Sequence, residues 1–253
     1  MATILRRRAG DTRPSPDAMT LTEHLAELRR RLIISLVAFV LAAIVAYVLY
    51  PQILHLFEHP YCLSLPKRPA HCALLALGPL DGFAIRLDVT GWGGLLFASP
   101  VILFQLWRFV TPGLRANEKR YAIPFVVATV GLFCAGAFVA WLTFPHALGF
   151  LKAVASSGIQ QAFTAQKYLT LILALMAIFG IVFEFPVVLV ALELAGAVKP
   201  AQLAKWRRWA IIAIVVIAAV ITPSSDPFSM LAMAIPMLFF YELSIIIGKL
   251  LKK

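Results

Sequence analysis

The chain has 253 residues, 61% of them hydrophobic and only 14% charged, with a mean hydropathy of +0.88. A water-soluble domain carries about 25% charged residues, so a soluble globular class is excluded. The net charge of +11 does not imply nucleic-acid binding either, which needs a basic patch on a suitable polar surface.

A membrane-crossing helix needs about 20 mostly apolar residues, because the hydrocarbon core is about 30 Å thick. Six runs meet or approach that length: residues 32–50, 87–110, 121–144, 168–194, 209–221 and 228–248. They lack the period-2 alternation of a barrel, and helices are the other structure that satisfies its backbone in lipid. The predicted fold is therefore all-α, a polytopic membrane protein with six transmembrane helices. A single domain is expected over residues 20–253, behind a disordered basic tail at 1–19 that is rich in Arg and Pro. No small-residue cleavage site follows the first run, so it is read as a retained span, and Met19 is an alternative start.

Thr20 and Glu23 fit a capping box, which predicts a helix start that places His24, Glu27 and Arg31 along one face before the first span. The segment 51–86 carries Pro51, Pro60, Pro66, Pro69 and Pro79, so a long regular helix is not expected there. Cys62 and Cys72 lie in that segment. A disulfide between them is the favoured reading, and a metal site built with His71 and His59 is the rival. Cys134, in the third run, reads as an inert packing residue. Residues 145–167 read as a partly helical cap, and 222–227 as a tight turn into the last span. The fifth run, 209–221, covers only about 20 Å as a helix and must sit against longer neighbours. Pro100, Pro124, Pro186 and Pro236 should bend or loosen their helices. Trp107, Trp206 and Trp209 read as interface anchors.

If the six runs alternate, Arg29, Arg30, Arg31, Arg108, Arg115, Lys119, Arg120, Lys199, Lys205, Arg207, Arg208 and Lys249 share one side with both termini. Lys67, Arg68, Arg86, Lys152 and Lys167 take the other. The positive-inside rule makes the first side cytoplasmic, so both termini are expected there.

Carboxylates are scarce, which makes their positions informative. Glu27 and Glu118 flank spans on the basic side. Each has local arginine partners, Arg30 or Arg31 for Glu27 and Arg115 or Arg120 for Glu118, and an exposed pair of that kind contributes little to stability. The alternative is that both line one cytoplasmic patch that receives a guanidinium, whose planar fork bonds a carboxylate bidentately. Glu184 lies inside an apolar run, where insertion of an acid at mid-span costs about 2.5–3.5 kcal/mol. Asp226 reads as a cap for the last span, and Glu242 as a snorkelling acid or a partner for Lys249.

The run HLAELRRR (24–31), the run QLWRFVTPGLRANEKR (105–120), FGIVFEFPVV (179–188) and TPSSDPFSMLAMAIPMLFFYEL (222–243) occur in an order that resembles the TatC family, the receptor subunit of the twin-arginine protein translocase. The resemblance runs from Thr20 onward; residues 1–19 have no counterpart in it, and the cysteine-bearing segment is expanded. It implies that Glu27 and Glu118 contact the arginine pair of a signal peptide. Arg29 and Arg31 would shape that patch, and Phe109 and Pro112 match the aromatic and turn positions of the second motif. It also implies that Glu184 faces a polar cavity where partner helices dock. The partners implied are TatA- and TatB-type single-span proteins, twin-arginine signal peptides of folded cargo, the lipid bilayer and further copies in the complex. The location implied is the bacterial cytoplasmic membrane, with transport driven by the proton-motive force.

No Walker A, HExxH or GxSxG motif occurs, so no enzyme activity, cofactor or metal is expected. The competing function is a proton- or cation-coupled secondary transporter with Glu184 as its intramembrane site. That class predicts paired repeats with broken helices, and no such internal symmetry is visible.

Overall fold

The computed structural model describes residues 21–63, 74–110, 122–154, 164–222 and 226–251. These form eight helices: α1 (Leu21–Val48), α2 (Tyr50–Leu63), α3 (Asp81–Val110), α4 (Ala122–Val154), α5 (Ala165–Val182), α6 (Phe185–Leu194), α7 (Pro200–Ile221) and α8 (Pro227–Leu251). The extended backbone among them amounts to one bridge, where the Ala165 amide donates to the Leu75 carbonyl at 2.8 Å.

Among the described residues, five segments are long and apolar enough to cross a membrane: Thr22–Val48, Asp81–Phe109, Ile123–Val154, Ala165–Leu194 and Pro227–Leu250. The expected fifth run is the exception. It forms the second half of α7, whose first turns carry Lys205, Arg207 and Arg208, so the continuous apolar stretch is short.

The connections differ from expectation in two places, and the bend expected at Pro186 is present. A 14-residue helix, α2, runs from Tyr50 into the segment 51–86 in spite of its prolines. Pro51 sits in its first turn, where a missing N–H costs nothing, and Pro60 lies near its end. The third span does not stop at residue 144, because α4 continues through Pro145 to Val154. The fourth span is interrupted between α5 and α6. Pro186 has no N–H for the Val182 carbonyl and its ring crowds that position. Phe183 and Glu184 therefore form a turn between two helices.

The α5–α6 segment is the centre of the bundle. Leu169, Ile172, Leu173, Leu175 and Phe179 are fully buried, with α3, α4 and α8 packed around them. α1 lies to one side and packs chiefly along α3. That seam is close: a Cβ at Gly94 would stand 2.8 Å from the Ala43 Cα, so only glycine admits the approach. α6 ends on Gly196 at φ 76°, with the amides of Gly196 and Ala197 donating to the Glu193 and Leu192 carbonyls. This is a Schellman stop, and it turns the chain into α7.

Candidate functional site

The start of α1 and the end of α3 meet at one end of the bundle. Glu27 and Arg31 stand one turn apart on α1 and form an ion pair through Glu27 Oε1 and Arg31 Nη2. Of the two local pairings expected for Glu27, the one with Arg31 is made. Arg31 is only 9% exposed, and its Nη1 donates to the Gln105 carbonyl on α3 at 3.3 Å. A single guanidinium thus joins the carboxylate to the neighbouring helix. One turn before Glu27, the His24 ring stacks on Phe109, with centroids 4.4 Å apart. Between these contacts lies a cleft of about 70 Å³ lined by Glu27, Arg30, Arg31, Ile34, Gln105 and Arg108.

Among the described residues, the cleft sets one carboxylate, Glu27, beside the guanidinium groups of Arg30, Arg31 and Arg108. Arg31 engages one oxygen of Glu27, and an ionised carboxylate offers two oxygens with about four acceptor positions. The site can therefore accept a further planar donor. Arg29 is exposed on α1 outside the cleft lining. Pro112 and Glu118 lie outside the described residues, and so does Cys72.

Glu184 sits in the turn between α5 and α6 and is 8% exposed. Its polar neighbour is the buried hydroxyl of Thr129 on α4. A cleft of about 350 Å³ opens nearby between α4, α6 and α8, but its walls are apolar apart from Ser244, and Glu184 is not among them. A second buried acid, Glu193 on α6, is 0% exposed and stands against Gly248 of α8. Sequence reasoning missed Glu193; the signal available was a carboxylate beside a glycine-ended apolar run.

The remaining candidates take structural places. Asp226 caps α8, its Oδ1 accepting from the Ser229 amide at 2.7 Å. Glu242 does not pair with Lys249 but with Arg207 of α7, at 2.7 Å, because α7 lies alongside the end of α8. Cys62 is disulfide-bonded. Cys134 is a free thiol on the exposed face of α4, not a packed one. Trp107 is buried against Phe125, at 5.4 Å between ring centroids, and is not an interface anchor, whereas Trp206 and Trp209 are exposed.

The sequence profile of the family described as "Sec-independent protein translocase protein (TatC)" matches residues 23–236. The chain belongs to the TatC family. The TatC of Frankia casuarinae is 42% identical over 91% of this chain, which spans 65% of that protein's length. The TatC of Aquifex aeolicus is 38% identical, with 92% of this chain and 95% of that protein covered. A crystal structure titled as the twin-arginine translocase receptor TatC superposes with a TM-score of 0.73 at 37% identity, over 91% of this chain and 100% of its own. Glu27, Glu184 and Asp226 fall inside the span that matches the TatC profile, and Glu242 lies beyond it.

Proposed function

We propose that this TatC-family chain is the receptor of a twin-arginine translocase in a bacterial cytoplasmic membrane, binding the arginine pair of a signal peptide at the mouth between α1 and α3. The observation that carries the reading is Glu27, a partly exposed carboxylate held between two helices by a buried arginine, with an aromatic stack beside it. Glu118 supplies the second acid, with Arg29 and Pro112 shaping the patch. The chain crosses the membrane six times with both termini inside, α7 being the short fifth crossing. TatA- and TatB-type single-span proteins, and further copies of the chain, dock on the bundle near Glu184. The proton-motive force drives transport of the folded cargo. Cys72 is the partner of Cys62.

The test is photocrosslinking from positions 27 and 118 of the membrane-embedded protein to a signal peptide carrying Arg-Arg, against the same peptide with Lys-Lys. Lysine offers a point charge and no fork, so crosslinks should fall sharply with Lys-Lys. Glu27→Gln should weaken Arg-Arg peptide binding by about tenfold or more, as expected for loss of a charge-assisted hydrogen bond. Equal crosslinking of both peptides would reduce Glu27 to a helix-surface ion pair.

A further inference from the structure

Glu27 is bracketed along α1 by two contacts that cross to α3. One turn before it, the His24 ring lies on the Phe109 ring, with centroids 4.4 Å apart and planes at 24°. One turn after it, Arg31 Nη1 donates to the Gln105 carbonyl at 3.3 Å. Positions three before and four after a residue share its face of a helix. His24, Glu27 and Arg31 therefore form one row against the end of α3, with the carboxylate in the middle.

Apolar packing does little to fix that row. Leu25 and Leu28, the large apolar side chains on either side of Glu27 in the chain, are 62% and 42% exposed. The close seam of α1 on α3 lies at Ala43 and Gly94, about 24 Å along the helix from Glu27. A helix end with so few buried apolar contacts opens at little cost. The ring stack therefore sets where the first turns of α1 stand against α3, and Arg31 sets the next one.

We infer that His24 is a positioning residue that sets the preference of this site for arginine over lysine. The inference rests on the reading of Glu27 as the acceptor of a signal-peptide arginine. A guanidinium fork makes two parallel bonds only to a carboxylate presented at a fixed angle, whereas an ammonium is a point charge that makes its contact from many directions. A small displacement of the α1 end costs the first far more than the second. The stack acts on the preference through Glu27, without itself bonding the peptide.

The experiment uses the full chain in lipid nanodiscs and measures the Kd of a signal peptide carrying Arg-Arg and of the same peptide with Lys-Lys. His24→Ala, at an exposed position, should weaken the Arg-Arg peptide about three- to tenfold, the range expected for one aromatic pair. The Lys-Lys peptide should weaken less, so the ratio of the two falls. His24→Phe keeps a ring on Phe109 and should recover most of the affinity and the ratio. Phe109→Leu should lose as much as His24→Ala, and the double variant no more than either single, because both remove the same stack. An unchanged ratio in His24→Ala, or a loss in His24→Phe equal to that in His24→Ala, would overturn the inference and leave Glu27 as the receptor group. Equal binding of the two peptides by the unaltered chain would remove the receptor reading, and this inference with it.

Discussion

Gly248 has no room for a side chain, because the Glu193 carboxylate occupies the space in front of its Cα. Gly248→Ala should therefore destabilise the bundle by about 1–3 kcal/mol, the usual cost of overpacking a closed interior. The thermal midpoint of the purified protein in detergent would report it. Shortening the acid in the same chain, Gly248→Ala with Glu193→Ala, should recover much of the loss, since the collision is between those two groups. Additive losses in the double variant would show that the two do not touch. This contact explains why the burial of Glu193 could not be read from the sequence, although its place beside a glycine-ended apolar run could. A glutamate near the end of an apolar run looks like an interface residue, and only the crossing of α6 on α8 encloses it. Glu184 was easier to notice because it interrupts a longer run, and its burial follows. Arg31 lay between the two in difficulty: its spacing from Glu27 was readable, but its bond to the Gln105 carbonyl depends on α3.

Helices as elements were largely readable, and their ends and breaks less so. Hydropathy located the cores of α1, α3, α4 and α8, because twenty apolar residues have few alternatives in lipid. It did not show α2, which proline count argued against, since the cost of a proline depends on its position in the helix. Hydropathy alone did not separate α5 from α6; that break was legible from Pro186, which acts on a carbonyl four residues earlier. The cap of α8 by Asp226 was readable, whereas residues 223–225 of the expected turn lie outside the described residues. With its Oδ1 on the Ser229 amide at 2.7 Å and the residue 1% exposed, that cap is made away from water. Asp226→Ala should cost about 1–2 kcal/mol, because the freed amide has lost its acceptor. Asp226→Asn keeps an acceptor in place and should cost clearly less. Equal melting midpoints for the two variants would remove the cap from the account of α8.

At the scale of the molecule, orientation rests on charge, and the fold adds a constraint on it. α7 is 22 residues long, or about 33 Å as a helix, but its first half carries Lys205, Arg207 and Arg208. Those residues belong at a headgroup layer, and Arg207 is fixed there by its bond to Glu242 of α8. The cationic start of α7 therefore shares a layer with the late turns of α8, and Arg30, Arg31 and Arg108 gather likewise at the meeting of α1 with α3. If α7 crosses, the α2 end of the bundle must face the other compartment. The proposed topology can then be read from two exposed positions. In a chain carrying Cys134→Ser, Leu80→Cys should react with a membrane-impermeant maleimide in intact cells, and Leu250→Cys, at the end of α8, should react only after the cells are opened. Reaction of both from outside would mean that α7 does not cross and that the chain makes five crossings, with its C-terminal end on the opposite side from Glu27.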